Sequence, residues 1–373
     1  VLQNQKMGSG NEIQLTDAIR YQINNSPCFG LKLKGNRYDC GSMLGFVKAN
    51  IALALENEKL NRELKPWIKK LWPFMKFKHK FSDNILRSYD IRGVVGDNLN
   101  DLDAFMLGYF FGLTVKNKIN YSTKIKVVVS RDGRLSSKKL ENKLISGLLN
   151  SGAHVISIGL NPTPALYFAN YFFSCDAAIQ ITGSHNPKTY NGFKMILLNK
   201  SFFGEDIIQL DKLAQIGSNK KKSGLLEKKN VENIYIKRVL EPLKSAHNNT
   251  LSKMCIVWDC GNGATGKILN KLIKKLPGNH HLLFEKIDGN FPNHAPDPTK
   301  IENLKPLIQK MKKINADLGI AFDGDGDRIS VVDRQGLMLP GDLLTAFLAL
   351  SIEQKNQLII LDVKSSLTAK KHI

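Results

Sequence analysis

At roughly 100 to 200 residues per domain, a chain of 373 residues holds two to three domains, and its 42% hydrophobic and 23% charged residues exclude a disordered or fibrous chain. The apolar runs at 104–115 and 343–352 fall short of the roughly 20 residues a membrane-spanning helix needs, no secretory leader opens the sequence, and five cysteines without a C-x-x-C pair read as reduced thiols, so a cytoplasmic protein is expected. The 54 Lys+Arg against 33 Asp+Glu are scattered and carry no nucleic-acid motif, so the formal charge of +21 reads as solvated lysine faces and anionic small substrates, with neither nucleic acid nor membrane as partner.

In chain order, residues 1–75 form a block of their own, closing on Pro66, Trp67, Trp72 and Pro73 as a linker or a packed helix end. Residues 125–137 (IKVVVSRDGRLSS) run from an apolar, β-rich stretch through Asp and Gly into a helix-like segment, the opening βα unit of a largely parallel sheet. Strand-like runs follow at 155–158 and 177–181. The polar, basic stretch between 216 and 230 reads as a connecting segment. A second βα unit opens at 255–267, and further strands are predicted at 318–322 and 329–332. The turn at 333–336 and Pro340-Gly341 mark another boundary, and a third βα unit is predicted at 358–370. The chain starts at Val1 and stops soon after that unit opens, so both ends are expected to be cut.

Two segments carry chemistry. In ADLGIAFDGDGDRISVVD (316–333) an apolar run delivers Asp323, Asp325 and Asp327 at alternate positions, and the intervening glycines permit the tight path that turns successive carboxylates toward one point. Three neighbouring anions repel unless a hard, oxygen-liganded cation such as Mg²⁺ sits among them; the plain alternative is an acidic surface turn. A calcium EF-hand is excluded because its sixth and twelfth positions would be Arg328 and Arg334. An aspartyl nucleophile at Asp323 is the remaining rival. In AAIQITGSHNPKTYNGFKM (177–195) a strand-like run ends at Ser184, where α/β sheets place their ligands. Ser184 and His185 are sequence neighbours that do not form the usual nucleophile-base pattern, whereas a serine can carry a phosphoryl group if a divalent ion and cations such as Lys194 and Arg92 neutralise the charge in transfer.

These residues resemble the α-D-phosphohexomutases, in the phosphomannomutase/phosphoglucomutase branch. SYDIRGVVGDNL (88–99) is similar to that branch's N-terminal motif, TGSHNP (182–187) to its phosphoserine loop, DGDGDR (323–328) to its magnesium loop and DVKSS (362–366) to the start of its third domain. The resemblance implies α/β, three-layer mixed-sheet domains of phosphohexomutase type: 84–216 with the phosphoserine loop, a linker at 217–232, 233–336 with the Mg loop, and 340–373 beginning a third, with the fourth absent. It implies a phosphorylated Ser184, Mg²⁺ held by Ser184, Asp323, Asp325 and Asp327, and Arg92, His185, Lys194, Arg328 and Lys364 around the transferring group. It also implies phosphorylated hexoses as substrates, mannose or glucose, with a hexose 1,6-bisphosphate as activator. The family's G-E-x-S-G-H sugar loop and R-x-S-x-T phosphate loop do not occur, so reduced activity is expected, with a non-catalytic fragment or assembly partner, or a phosphoglucosamine mutase, as alternatives.

The first block resembles something else. EIQLTDAI (12–19) and GNRYDCGSMLGFVKANIALAL (35–55) are similar to the C-terminal part of a bacterial UDP-glucose pyrophosphorylase, which implies an N-terminal α/β fragment over 1–75 with Asp39 as a metal-binding candidate. As a plain sequence feature, Asp39 is equally a turn residue before Cys40-Gly41.

Overall fold

The computed structural model describes residues 15–23, 26–27, 37–71, 76–119, 124–219, 222–245, 248–352 and 358–373. They fall into two compact units, 1–72 and 73–373.

Among the described residues, the first unit contains the helices α1 (Leu15–Ile23), α2 (Met43–Glu56) and α3 (Glu58–Leu71) and no strand. Residues 1–14 and 28–36, over which the rest of the expected α/β fragment runs, lie outside the described residues. α2 is a largely apolar run started by Ser42, whose side chain accepts from the Gly45 N–H as an N-cap. Pro66 lies inside α3. Trp67 also lies in α3 and is exposed, whereas Trp72 and Pro73 of the expected Pro/Trp cluster lie outside the described residues.

The second unit carries two mixed sheets. The first is built in the order β1 (Ile91–Val94), α4 (Asp101–Lys118), β2 (Lys126–Arg131), α5 (Ser137–Asn150), β3 (His154–Leu160), α6 (Thr163–Phe172), β4 (Ala177–Ile181), β5 (Tyr190–Leu197), β6 (Lys200–Ser201), α7 (Glu205–Ile216) and β7 (Leu225–Lys228). Its spatial order is β1-β5-β4-β2-β3-β7, with β6 beside β5. The strands β4, β2, β3 and β7 run parallel, β5 pairs antiparallel with β4, and β1 pairs antiparallel with β5.

Alternation of side chains across a strand explains why β2 is apolar throughout. Val127 and Val129 face one core with Leu107, Phe110 and Phe111 of α4, Leu144 of α5 and Leu210 of α7. Val128, between them, faces a second core with Leu166 and Ala169 of α6 and Val231. A sheet covered on both faces is the three-layer arrangement. The stretch expected to be only a connector contributes β7, which pairs in parallel with β3; its exposed, charged edge is what allows a polar sequence to end a sheet.

The second sheet follows α8 (Glu232–Leu240) and the short α9 (Asn248–Leu251), with β8 (Cys255–Asp259), α10 (Gly266–Leu272), β9 (Asn279–Leu283), α11 (Ile301–Ile314), β10 (Leu318–Phe322), β11 (Ile329–Val332) and β12 (Met338–Leu339). The order is β12-β11-β10-β8-β9, parallel only through β10, β8 and β9. Val257 and Ala321 face Leu307 and Met311 of α11, whereas Trp258 and Phe322 face Ile268 and Leu269 of α10.

Beyond the second sheet lie α12 (Gly341–Leu350) and α13 (Leu367–His372). Residues 358–362 form no strand, which corrects the β run predicted there; they have no ladder partner among the described residues, and an apolar run without one gains nothing from extension. No helix of the described residues is long and apolar enough to cross a membrane.

Candidate active site

Loops leaving the C-terminal ends of β4 and β10 meet. After β4, Thr182, Gly183 and Ser184 are wholly enclosed, and the Ser184 Oγ donates to Asp323 Oδ2 at 2.7 Å, 139 residues away in sequence. The backbone of Ser184 has a φ of +50°, a left-handed conformation uncommon for a residue with a side chain. Its N–H donates to Thr182 Oγ1 at 2.7 Å.

After β10, one oxygen from each of Asp323, Asp325 and Asp327 lies within 4.8 Å of the others. The glycines between them are required by their surroundings. A side chain on Gly324 would begin 2.5 Å from the Ser184 carbonyl, and Gly326 adopts a φ of +72° with Thr265 against it. Asp323 and Asp325 are buried, while Asp327 is partly open to solvent.

The electrostatics follow from that crowding. Burial and then repulsion from Asp325 and Asp327 push the Asp323 carboxyl up to about 8. Burial would also raise Asp325, but Lys194 and the Thr163 hydroxyl, which both donate to its Oδ2, hold it below the ordinary carboxylate value. Lys194 reaches Asp325 at 2.7 Å and also bonds Asp327; burial opposes its charge, yet these carboxylates raise it above an ordinary lysine. The Oδ1 of Asp325 is buried without a protein partner. Three converging carboxylates, an unpartnered buried oxygen and one carboxyl driven toward its neutral form are the donor set of a hard divalent cation, and a cation there would lower all three together.

Around this pair of loops, Arg92 is buried on β1, donates to the Gly183 carbonyl at 3.3 Å and pairs with Asp90. Its Nε and the Oδ1 of Asp90 lack protein partners. Burial, followed by the charges of Arg328 and Arg92, lowers the pKa of His185, so its imidazole is neutral near pH 7, with Nδ1 unpartnered. Arg328 is exposed, and its N–H donates to Asp323 Oδ1 at 3.2 Å.

The sequence-predicted residues Ser184, Arg92, His185, Lys194, Arg328 and the aspartates thus cluster about two loops. Lys364 does not join them: it is exposed, with its N–H on Asp362 Oδ1 at 2.8 Å. Asp39 is exposed in the first unit and accepts from the Gly41 N–H at 3.0 Å, the geometry of a turn residue.

Sequence reasoning missed Thr163, at the start of α6. It binds Asp325 twice, N–H to carbonyl at 2.8 Å and hydroxyl to Oδ2 at 2.5 Å. It missed Asp132 and Arg134 as well, which follow β2 and are buried under the Ser184 loop. The signal was available, because all three lie just past the C-terminal ends of parallel strands.

Models of the phosphoglucomutase/phosphomannomutase α/β/α domains I and II match residues 83–216 and 233–336. A phosphomannomutase/phosphoglucomutase of Pseudomonas syringae pv. tomato is 43% identical over 286 residues, 76% of this chain and 59% of that protein. A phosphoglucomutase of Neisseria gonorrhoeae is 37% identical over 289 residues, 76% of this chain and 60% of that protein. The crystal structure of a phosphoglucomutase/phosphomannomutase family protein from Burkholderia thailandensis superposes with a TM-score of 0.64 at 38% identity, covering 73% of this chain and 60% of that one. The chain therefore spans about three-fifths of the length of the proteins it matches. With two consecutive domain models, an ordered pair of sheets and the serine and carboxylate loops apposed between them, residues 83–336 belong to the phosphoglucomutase/phosphomannomutase family.

Proposed function

We propose that this chain carries the phosphoserine and metal half of a phosphohexomutase interconverting hexose 1-phosphate and hexose 6-phosphate, mannose or glucose. The observation that carries the reading is the Ser184 hydroxyl at 2.7 Å from Asp323, within a cluster of three carboxylates. In the forward direction the P–O bond to Ser184 Oγ breaks as one forms to the free hydroxyl of the sugar phosphate; that hydroxyl's proton passes to the neutral His185 imidazole, and Ser184 Oγ takes up one proton to become a hydroxyl again. The resulting bisphosphate turns over and returns its other phosphoryl group to Ser184. A hexose 1,6-bisphosphate then serves as activator by charging the serine directly.

Mg²⁺ held by Asp323, Asp325, Asp327 and an oxygen on Ser184 would neutralise charge on the transferring group. Lys194 stays protonated beside the carboxylates and can hold phosphoryl oxygens. Arg92 would orient the incoming sugar, a role its unpartnered buried Nε supports, and neutral His185 would exchange a proton with it. Arg328 lies at the rim of the metal loop, and Lys364 is assigned a substrate-binding role on its motif alone.

The proposed division of the second unit is 84–216, a link at 217–232, 233–336 and 340–373 as the start of a third domain. Residues 1–75 are proposed as a piece similar to the C-terminal part of a UDP-glucose pyrophosphorylase, supported by the GNRYDCGSMLGFVKANIALAL segment and outside the mutase chemistry.

Incubation with glucose 1,6-bisphosphate and Mg²⁺, followed by peptide mass mapping, is expected to place acid-stable phosphate on Ser184. Acid-labile phosphate on Asp323 with Ser184 unmodified would overturn the assignment.

A further inference from the structure

Beneath the Ser184 loop lies a buried arginine that touches no carboxylate of the metal cluster. Arg134 has a fully covered side chain. Its Nη2 donates to the carbonyls of Ser184 at 2.7 Å and Asn186 at 2.6 Å, and its Nη1 to those of Pro187 at 2.6 Å and Tyr190 at 3.1 Å. Its Nε donates to Asp132 Oδ2 at 3.2 Å, an oxygen that also accepts from Thr182 Oγ1 and the Gly183 N–H. The ring of Phe291, from the second sheet's loops, covers the guanidinium at 5.1 Å. One planar fork therefore holds four carbonyls of a single loop, a task its several fixed donors suit and a lysine's single ammonium does not.

The pattern of anchors bears on the backbone of Ser184. Its N–H is held by Thr182 Oγ1, which Asp132 orients, and its carbonyl by Arg134. With both peptide groups fixed from below, the Cα between them keeps the left-handed φ of +50°, and the Cβ points across to Asp323.

We propose that Arg134 is a positioning residue that imposes the left-handed conformation on Ser184 and so sets where its hydroxyl stands. The consequence for phosphoryl transfer rests on the reading of Ser184 as the phosphoryl carrier; the conformational part does not.

The test compares melting temperatures of Ser184→Gly and Ser184→Ala, both lacking the hydroxyl, in chains with Arg134 and with Arg134→Lys. Glycine accepts a left-handed φ and alanine does not, so with Arg134 present the glycine variant is expected to melt higher by about 2–4 °C. In Arg134→Lys the backbone relaxes, and the advantage is expected to vanish or reverse, because glycine then only adds freedom to the unfolded chain. An undiminished advantage in Arg134→Lys would overturn the proposal. Should Arg134→Lys fail to fold, Phe291→Leu loosens the guanidinium while leaving its donors in place; there a reduced advantage supports the proposal and an unchanged one rejects it.

Labelling of the native chain by glucose 1,6-bisphosphate separates the two readings. No label on native protein sinks the phosphoryl-carrier assignment and leaves the melting comparison standing. With native protein labelled, Arg134→Lys (or Phe291→Leu in its place) is expected to lower the maximal labelling rate, about 10²-fold for a displacement near 1 Å, with half-saturation unchanged. A raised half-saturation at an unchanged maximal rate would assign Arg134 to ligand binding instead and reject its positioning role.

Discussion

Thr163 shows how much of the carboxylate cluster is set by a residue that carries no charge. Its N–H and hydroxyl fix the backbone and one oxygen of Asp325, leaving the other oxygen of that carboxylate free. Partners that orient a ligand contribute to metal affinity through geometry, and their loss typically costs about 10–100-fold. Thr163→Val is therefore expected to weaken Mn²⁺ binding by about 10–100-fold, and Thr163→Ser to retain most of it. Asp325→Ala should lose at least as much, since it removes a ligand and leaves Lys194 beside Asp327 with less negative charge to face. Titration calorimetry with Mn²⁺ reads both; unchanged affinity in Asp325→Ala would show the three aspartates to be a turn and no ligand set.

At the scale of elements, α8 joins the two sheets. Val231, its N-cap, packs under the first sheet, and Ile236 packs under the second. Glu232 between them is buried and accepts from Lys267 and Lys271 on α10. Burial works against its charge, but the two ammonium groups prevail and hold its pKa below the ordinary glutamate value. A carboxylate depressed in the folded state contributes stability that is present above its unfolded pKa of about 4.3 and lost as pH falls through the folded value. Glu232→Gln should cost about 1–3 kcal/mol at pH 7, and its difference from native protein should shrink below about pH 4. Urea midpoints from pH 7 to 3 check this; a gap independent of pH would mean that packing and not charge holds α8.

The same elements show what was legible in the sequence. Val127, Val128 and Val129 announced the opening strand of a largely parallel sheet, and the Asp-Gly alternation announced a loop with converging carboxylates. Their place past strand ends could have marked Thr163 and Arg134 as candidates, but what each holds was hidden, because it depends on a partner far along the chain, Asp325 and the Ser184 loop, and no local periodicity reports such contacts. Residues 225–228 were read as connector because edge strands carry charges that resemble a loop's.

For the molecule as a whole, the two sheets of the second unit are expected to carry the proposed chemistry without the helical unit. Phe77 and Phe81 pack into the first sheet's core, so a chain shortened to begin at residue 76 keeps that core intact. It should accept phosphate on Ser184 at a rate close to that of the full chain. A loss above about tenfold in a folded shortened chain would tie residues 1–75 to the chemistry. The separation of serine and aspartates onto different sheets also gives the site a birth date during synthesis. Translation at about 5–20 residues per second needs about 7–28 s to cover the 139 residues from Ser184 to Asp323, and domains fold as they emerge. Throughout that interval a growing polypeptide can own the serine loop and lack the carboxylates, so the proposed phosphoryl transfer has to wait until the second sheet has been made.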